Sequence, residues 1–173
     1  MTPTYGWLRA ALVAGVVALT ALSARAEPAL TVFLVRHAEK EPAGADPSLT
    51  DAGRARAESL AALLADAGIT AIFSSEYKRT QETAAPLAKR LGLSVTVVPG
   101  KDTDALLAKL RALAPGGRAL VVGHSNTVPE LALRLTGVKI AQLTEADFDH
   151  LYVGIVRKKG HGEVLLLHYP PRQ

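Results

Sequence analysis

The strongest constraint on the fold is an alternation. Four short runs rich in apolar and β-branched residues, Leu30–Arg36, 69–75 (ITAIFSS), 93–98 (LSVTVV) and 118–124 (RALVVGH), are separated by stretches of helical character. Antiparallel strands can be joined by tight turns. A strand followed by about ten helical residues and a further strand instead implies a crossover and a parallel pair. The expected fold is therefore α/β, a three-layer sandwich with a mostly parallel central sheet flanked by helices. The segment 151–169 (LYVGIVRKKGHGEVLLLHY) reads differently, as two strands around a Lys-Lys-Gly-His-Gly turn, and adds a C-terminal antiparallel hairpin at an edge.

Local signals mark the intervening elements. Thr50 and Asp51 open a helix with a leucine stripe at 60, 63 and 64, and Gly68 is its expected stop. A second helix runs from Tyr77 to Gly92, with Pro86 expected to kink it or to begin a second segment. Thr103 is expected to cap a short third helix, and Pro129–Leu135 forms a fourth that stops at Gly137. Residues 38–49 (AEKEPAGADPSL) carry two prolines and a glycine and read as a loop.

The first 26 of the 173 residues follow other rules. Arg9 supplies a positive start, an uncharged apolar run of roughly a dozen residues follows, and Ala24 and Ala26 give the small-x-small pattern of a signal-peptidase site. The run is shorter than the ~20 residues that span a bilayer, so a cleaved signal is expected over a retained anchor. Residues 27–173 then form a single domain, periplasmic or secreted, without stable membrane insertion. The chain has no cysteine, so its core must hold it without disulfides. Arg9 and Arg25 account for two of the four units of net positive charge, and the remaining +2 makes no case for nucleic acid.

In an open α/β sheet, ligands bind beyond the carboxyl ends of the strands. The first strand ends in Arg36-His37, the second in Ser74-Ser75 with Arg79 two turns or less into the next helix, and the fourth in Gly123-His124-Ser125-Asn126 ahead of a helix N-terminus. Two imidazoles, two guanidiniums and the free N–H groups of a helix start suit a compact anion with several oxygens, phosphate above all. A neutral imidazole is a competent nucleophile toward phosphorus, and neighbouring guanidinium charge lowers its pKa. This chemistry requires no metal and no cofactor, and the sequence shows no closely spaced hydrolytic metal-ligand cluster.

These residues resemble a known family. The segment LVRHAE is similar to the Arg-His-Gly/Ala signature of the histidine phosphatase superfamily, in its phosphoglycerate-mutase-like branch. SLTDAGRARA resembles its Leu-Thr-x-x-Gly-x-x-Gln-Ala segment with Arg56 where glutamine is usual, SSEYKRTQETA its Ser-Ser-x-x-x-Arg-Thr-x-x-Thr-Ala segment, and VVGHSNTV its Gly-His block. The resemblance covers roughly residues 30–135. It implies that His37 is phosphorylated, that Arg36, Arg79 and His124 complete the phosphate pocket, and that the Ser125 N–H assists. Water then releases the phosphoryl group. The resemblance also implies a carboxylic acid after the third strand; Asp102 is the first candidate and Asp104 the second. Histidine acid phosphatases and phytases fit less well, since Ala38-Glu39 and Ser125 depart from their pattern.

The expected function is a phosphomonoester hydrolase acting on a small phosphorylated metabolite or an envelope phosphosugar. A protein phosphohistidine phosphatase and a non-catalytic binder of phosphorylated ligands are the alternatives. Glu82, Lys40 and Glu41 are expected to serve ion pairing or solvation, and His150, His161 and His168 to be structural or surface residues.

Overall fold

The computed structural model describes residues 29–157 and 162–171; the leader 1–26 and most of the hairpin turn lie outside them. Six strands form one sheet: β1 (Leu30–Arg36), β2 (Ala71–Ser74), β3 (Val95–Val97), β4 (Arg118–Gly123), β5 (His150–Val156) and β6 (Glu163–His168). Four helices connect them: α1 (Asp51–Leu64), α2 (Lys78–Leu91), α3 (Thr103–Arg111) and α4 (Thr127–Thr136). The strand order is β3-β2-β4-β1-β5-β6. The first four strands in that order run parallel, and β5 and β6 add antiparallel strands on the β1 side.

Both faces of the sheet are covered over its central strands β2, β4 and β1, which explains why these carry almost no polar residues. Leu60, Ala61 and Leu64 of α1 pack with Ala84, Leu87 and Ala88 of α2 against Val35, Ile72, Leu120 and Val122. On the other face, Leu107 and Leu110 of α3 and Val128, Leu131 and Leu135 of α4 meet Val32, Leu34, Phe73 and Val121. The alternation along β1 and β4 sends successive residues to opposite layers.

Several boundaries differ from the sequence expectation. Helix α1 starts as expected, with the Thr50 hydroxyl accepting from Gly53 N–H at 3.0 Å, but ends at Leu64, and a turn separates it from Gly68. Helix α2 runs unbroken through Pro86 and stops at Gly92 in the left-handed conformation. Proline removes one N–H and leaves the Glu82 carbonyl without its helical partner, and on this half-exposed face water can take that place. Helix α3 is capped by Asp102 rather than Thr103. Helix α4 begins two residues before Pro129, which therefore sits in the first turn, where its missing N–H is not needed.

Candidate active site

The rim at the carboxyl ends of β1, β2 and β4 brings together the four side chains singled out by the sequence. The β1 and β4 ends lie side by side, Arg36 pairing with Gly123, and the His37 N–H donates to the Gly123 carbonyl at 3.0 Å. His37 and His124 consequently stand edge to face with ring centroids 5.5 Å apart. Tyr77, just before α2, ties the third segment in. Its ring lies 4.3 Å from the Arg79 guanidinium and 5.4 Å from the His124 ring.

His37 is buried, and its Nδ1 is 2.8 Å from its neighbour's carbonyl, Ala38 O. A carbonyl only accepts, so Nδ1 carries the proton and Nε2 keeps a lone pair. Burial pushes the His37 pKa down to about 4 against the pull of that hydrogen bond, and the charges of Arg36, His124 and Arg79 push the same way. His124 is likewise lowered to about 4, first by burial and then by Arg79, with Glu76 opposing. Both rings are neutral at pH 7. The Ser75 hydroxyl meets His124 Nε2 at 2.9 Å, and Ser75 is itself held at 2.8 Å by Thr80.

The segment after His37 is fixed from two sides. Thr83 of α2 accepts from the Ala38 N–H at 3.0 Å and donates to the Arg79 carbonyl at 2.7 Å, so one hydroxyl joins the His37 and Arg79 elements. On the α1 side, a Cβ at Gly53 would lie 2.1 Å from the Glu39 carbonyl oxygen, so only glycine permits this approach. Arg56 then grips the Glu39 carboxylate through Nε and Nη2 at 2.6–2.9 Å and reaches the Tyr169 carbonyl with Nη1 at 2.9 Å. At the β4–α4 elbow, Gly123 leaves room for the Thr127 hydroxyl, which accepts from His124 N–H at 2.8 Å. Ser125 follows in the turn at the start of α4.

Arg36 is 2% exposed and held by a strap the sequence did not single out. Its guanidinium donates to the Thr144 carbonyl, pairs with Glu145 at 2.7 Å and stacks 4.4 Å from Phe148, whose ring also lies 6.2 Å from that of His37. The buried Nε groups of Arg36 and Arg79 have no hydrogen-bond partner within the protein. Unpaired buried N–H donors of this kind are costly, and an anion held between the two arginines supplies acceptors. Asp46, from the loop after His37, accepts from the first N–H of α2 at 3.0 Å and lies 3.8 Å from Arg79.

The two acid candidates are engaged elsewhere. Asp102 lines a small cavity with Ser75, Gly100 and His124, but its carboxylate accepts from Ala105 N–H at 2.9 Å as the cap of α3. Asp104 pairs with Arg134 at 2.5 Å on the outer surface. Glu76 and Glu145 also reach the rim. Glu76 accepts from Gly100 N–H at 2.7 Å, and its pKa is lowered by backbone N–H groups, its own and that of Gly100. The pKa of Glu145 is lowered by its hydrogen bond to Arg36. A general acid for neutral pH needs the opposite shift.

The family model of the Histidine phosphatase superfamily (branch 1) matches residues 32–100, which hold Arg36, His37 and Arg79. Residues 32–100 are thus similar to the histidine phosphatase superfamily. Among curated relatives, the PE-PGRS family protein PE_PGRS11 of Mycobacterium tuberculosis is 40% identical over 80 residues, 44% of this chain and 14% of that protein. The chain thus spans well under half the length of the curated relatives it matches. Solved structures share the fold. The protein histidine phosphatase SixA complexed with tungstate superposes with a TM-score of 0.62 at 21% identity, covering 82% of this chain and 96% of that one. The alpha-ribazole phosphatase of Shigella flexneri superposes with a TM-score of 0.63 at 17% identity, covering 80% and 96%.

The signal for Thr80 and Thr83 was present in the sequence, inside the SSEYKRTQETA segment, although only Ser74, Ser75 and Arg79 were placed at the rim from it. For Thr144–Phe148 no local signal existed, because the strap acquires its role only by folding over Arg36.

Proposed function

We propose that this chain is an exported phosphomonoester hydrolase that works through a phosphohistidine on His37. The carrying observation is the hydrogen bond from Nδ1–H to the Ala38 carbonyl, which leaves the Nε2 lone pair in a pocket of two guanidiniums and a second neutral imidazole. In the first step Nε2 forms a bond to phosphorus as the phosphorus–oxygen bond to the leaving group breaks. In the second, water attacks the phosphohistidine, Nε2 departs with its electron pair, and inorganic phosphate forms. Arg36 and Arg79 stabilise the charge on the equatorial oxygens. With Ser75 O–H donating to Nε2 of His124, the Nδ1–H of that ring is the donor for a phosphoryl oxygen. The Ser125 N–H at the start of α4 adds another donor.

The ionised state of Glu76 and Glu145 and the capping role of Asp102 bear on the substrate. With Glu76 and Glu145 held ionised and Asp102 engaged as a cap, leaving groups that need no proton from a carboxylic acid of the site are favoured. That supports aryl phosphates and phosphoramidates over alkyl esters, and gives weight to the second reading, a protein phosphohistidine phosphatase, the activity named for SixA. Export rests on the leader pattern in residues 1–26 and argues for the first reading, with a small phosphorylated metabolite or envelope phosphosugar as substrate.

The test is a screen of aryl phosphates, alkyl phosphates and phosphohistidine with wild type and His37→Ala, together with alkaline-quench trapping of labelled enzyme, since the phosphorus–nitrogen bond survives in alkali. Turnover that survives His37→Ala would defeat the mechanism. Phosphate binding without turnover on any substrate would indicate a non-catalytic phospho-ligand binder.

A further inference from the structure

At the far end of the β5–β6 hairpin a second cluster of titratable side chains lies outside the phosphate pocket. His150 opens β5 and His168 closes β6, and the two are direct cross-strand partners. Partners of this kind put their side chains on one face, and the two rings stand 4.7 Å apart at 82°. Asp149 joins them, its Oδ2 at 2.9 Å from His168 Nδ1 and its Oδ1 at 3.7 Å from His150 Nε2. Asp147 places Oδ1 at 3.8 Å from the same Nε2, while its other oxygen accepts from the Thr144 N–H and hydroxyl.

We infer that Asp149, His150 and His168, with Asp147 at hand as a fourth ligand, form a binding site for a divalent transition metal of the zinc class. One ligand atom from each of the first three lies within 4.8 Å of the others. Tetrahedral zinc with bonds of about 2.0–2.1 Å needs ligand atoms roughly 3.4 Å apart, so closure takes about an ångström of side-chain rotation. Two imidazoles select zinc, cobalt, nickel or copper over magnesium or calcium, and two carboxylates balance the charge of a divalent ion. Tyr152 OH lies 3.3 Å from His150 Nδ1, fixing the ring so that Nε2 faces the aspartates. The metal takes the place of the hydrogen between His168 Nδ1 and Asp149, and the neutral ring carries its proton on Nε2. Through Asp147 and Thr144 the site adjoins the strap that grips Arg36, yet no ligand belongs to the phosphate pocket, so the site does not depend on the proposed hydrolysis.

The experiment titrates the chelator-treated full chain at neutral pH, with zinc by calorimetry and with cobalt by visible absorption. The expected result is one equivalent bound at micromolar or tighter affinity, with cobalt bands of the intensity of four-coordination. His168→Ala should weaken binding at least about tenfold. Its side chain is 56% exposed, so the variant keeps the fold, which circular dichroism checks. His37→Ala, His124→Ala and His161→Ala should bind as wild type does. No stoichiometric binding, undiminished affinity in His168→Ala, or loss in one of the other three variants would each overturn the assignment.

Discussion

Acidification from pH 7.5 to pH 5 tests the electrostatics of the pocket directly. In an unfolded chain both His37 and His124 titrate near 6.5, whereas burial and the neighbouring arginines hold them at about 4 in the folded state. Between those values the unfolded state binds more protons, so stability rises with pH and is lost as pH falls from 6.5 toward 4. At pH 5 the linkage for a pKa moved from 6.5 to 4 amounts to about 2 kcal/mol. That figure applies to the buried His37; the partly exposed His124 adds less, for a combined loss of roughly 3 kcal/mol. Carboxylates contribute little above pH 5, which is why the window stops there. Urea unfolding at the two pH values measures the loss, and His37→Asn should remove the His37 share of it. Proton NMR titration of the ring signals gives the individual values. A pH difference below about 1 kcal/mol, or ring pKa values near 6.5, would refute the claim that His37 is a desolvated, neutral nucleophile.

Thr83→Val keeps the shape but leaves the buried Ala38 N–H unpaired, so we expect a loss of about 1–3 kcal/mol in chemical denaturation and a fall in kcat from a looser His37. Gly53→Ala would be mildly favourable in an isolated helix, yet its Cβ meets the Glu39 carbonyl; a Tm decrease reflecting about 2–4 kcal/mol is expected, and an unchanged Tm would show that the loop yields. Glu145→Ala removes the carboxylate that competes for Arg36; its 79% exposure limits the effect to a few-fold gain in inorganic phosphate affinity, read by inhibition constants, and a weaker affinity would contradict the competition.

Much of the fold was legible because its signals are short-range. β1, the Thr50 cap of α1 and the Gly92 stop of α2 each rest on residues within a few positions of one another. The misplaced boundaries have causes outside the local pattern. Pro86 breaks a helix in isolation, but packing of Ala84, Leu87 and Ala88 against the sheet carries α2 through it. Asp102 and Thr103 are both good caps, and only the path of the chain from β3 decides between them. The strap Thr144–Phe148 and the pairing of Asp149 with His168 join residues far apart in sequence, and no local pattern announces them.

By itself the sequence determined the layered α/β architecture and singled out Arg36, His37, Arg79 and His124 as the candidate site. Hydrophobic period and the habit of parallel sheets to gather ligands at strand ends are enough for both. Only the tertiary structure decided which nitrogen of His37 holds the proton, what grips Arg36, and that the carboxylates of Glu76 and Glu145 stay ionised. Those properties depend on distances of a few ångströms between segments up to 108 residues apart, and on water excluded by packing, neither of which a local pattern encodes.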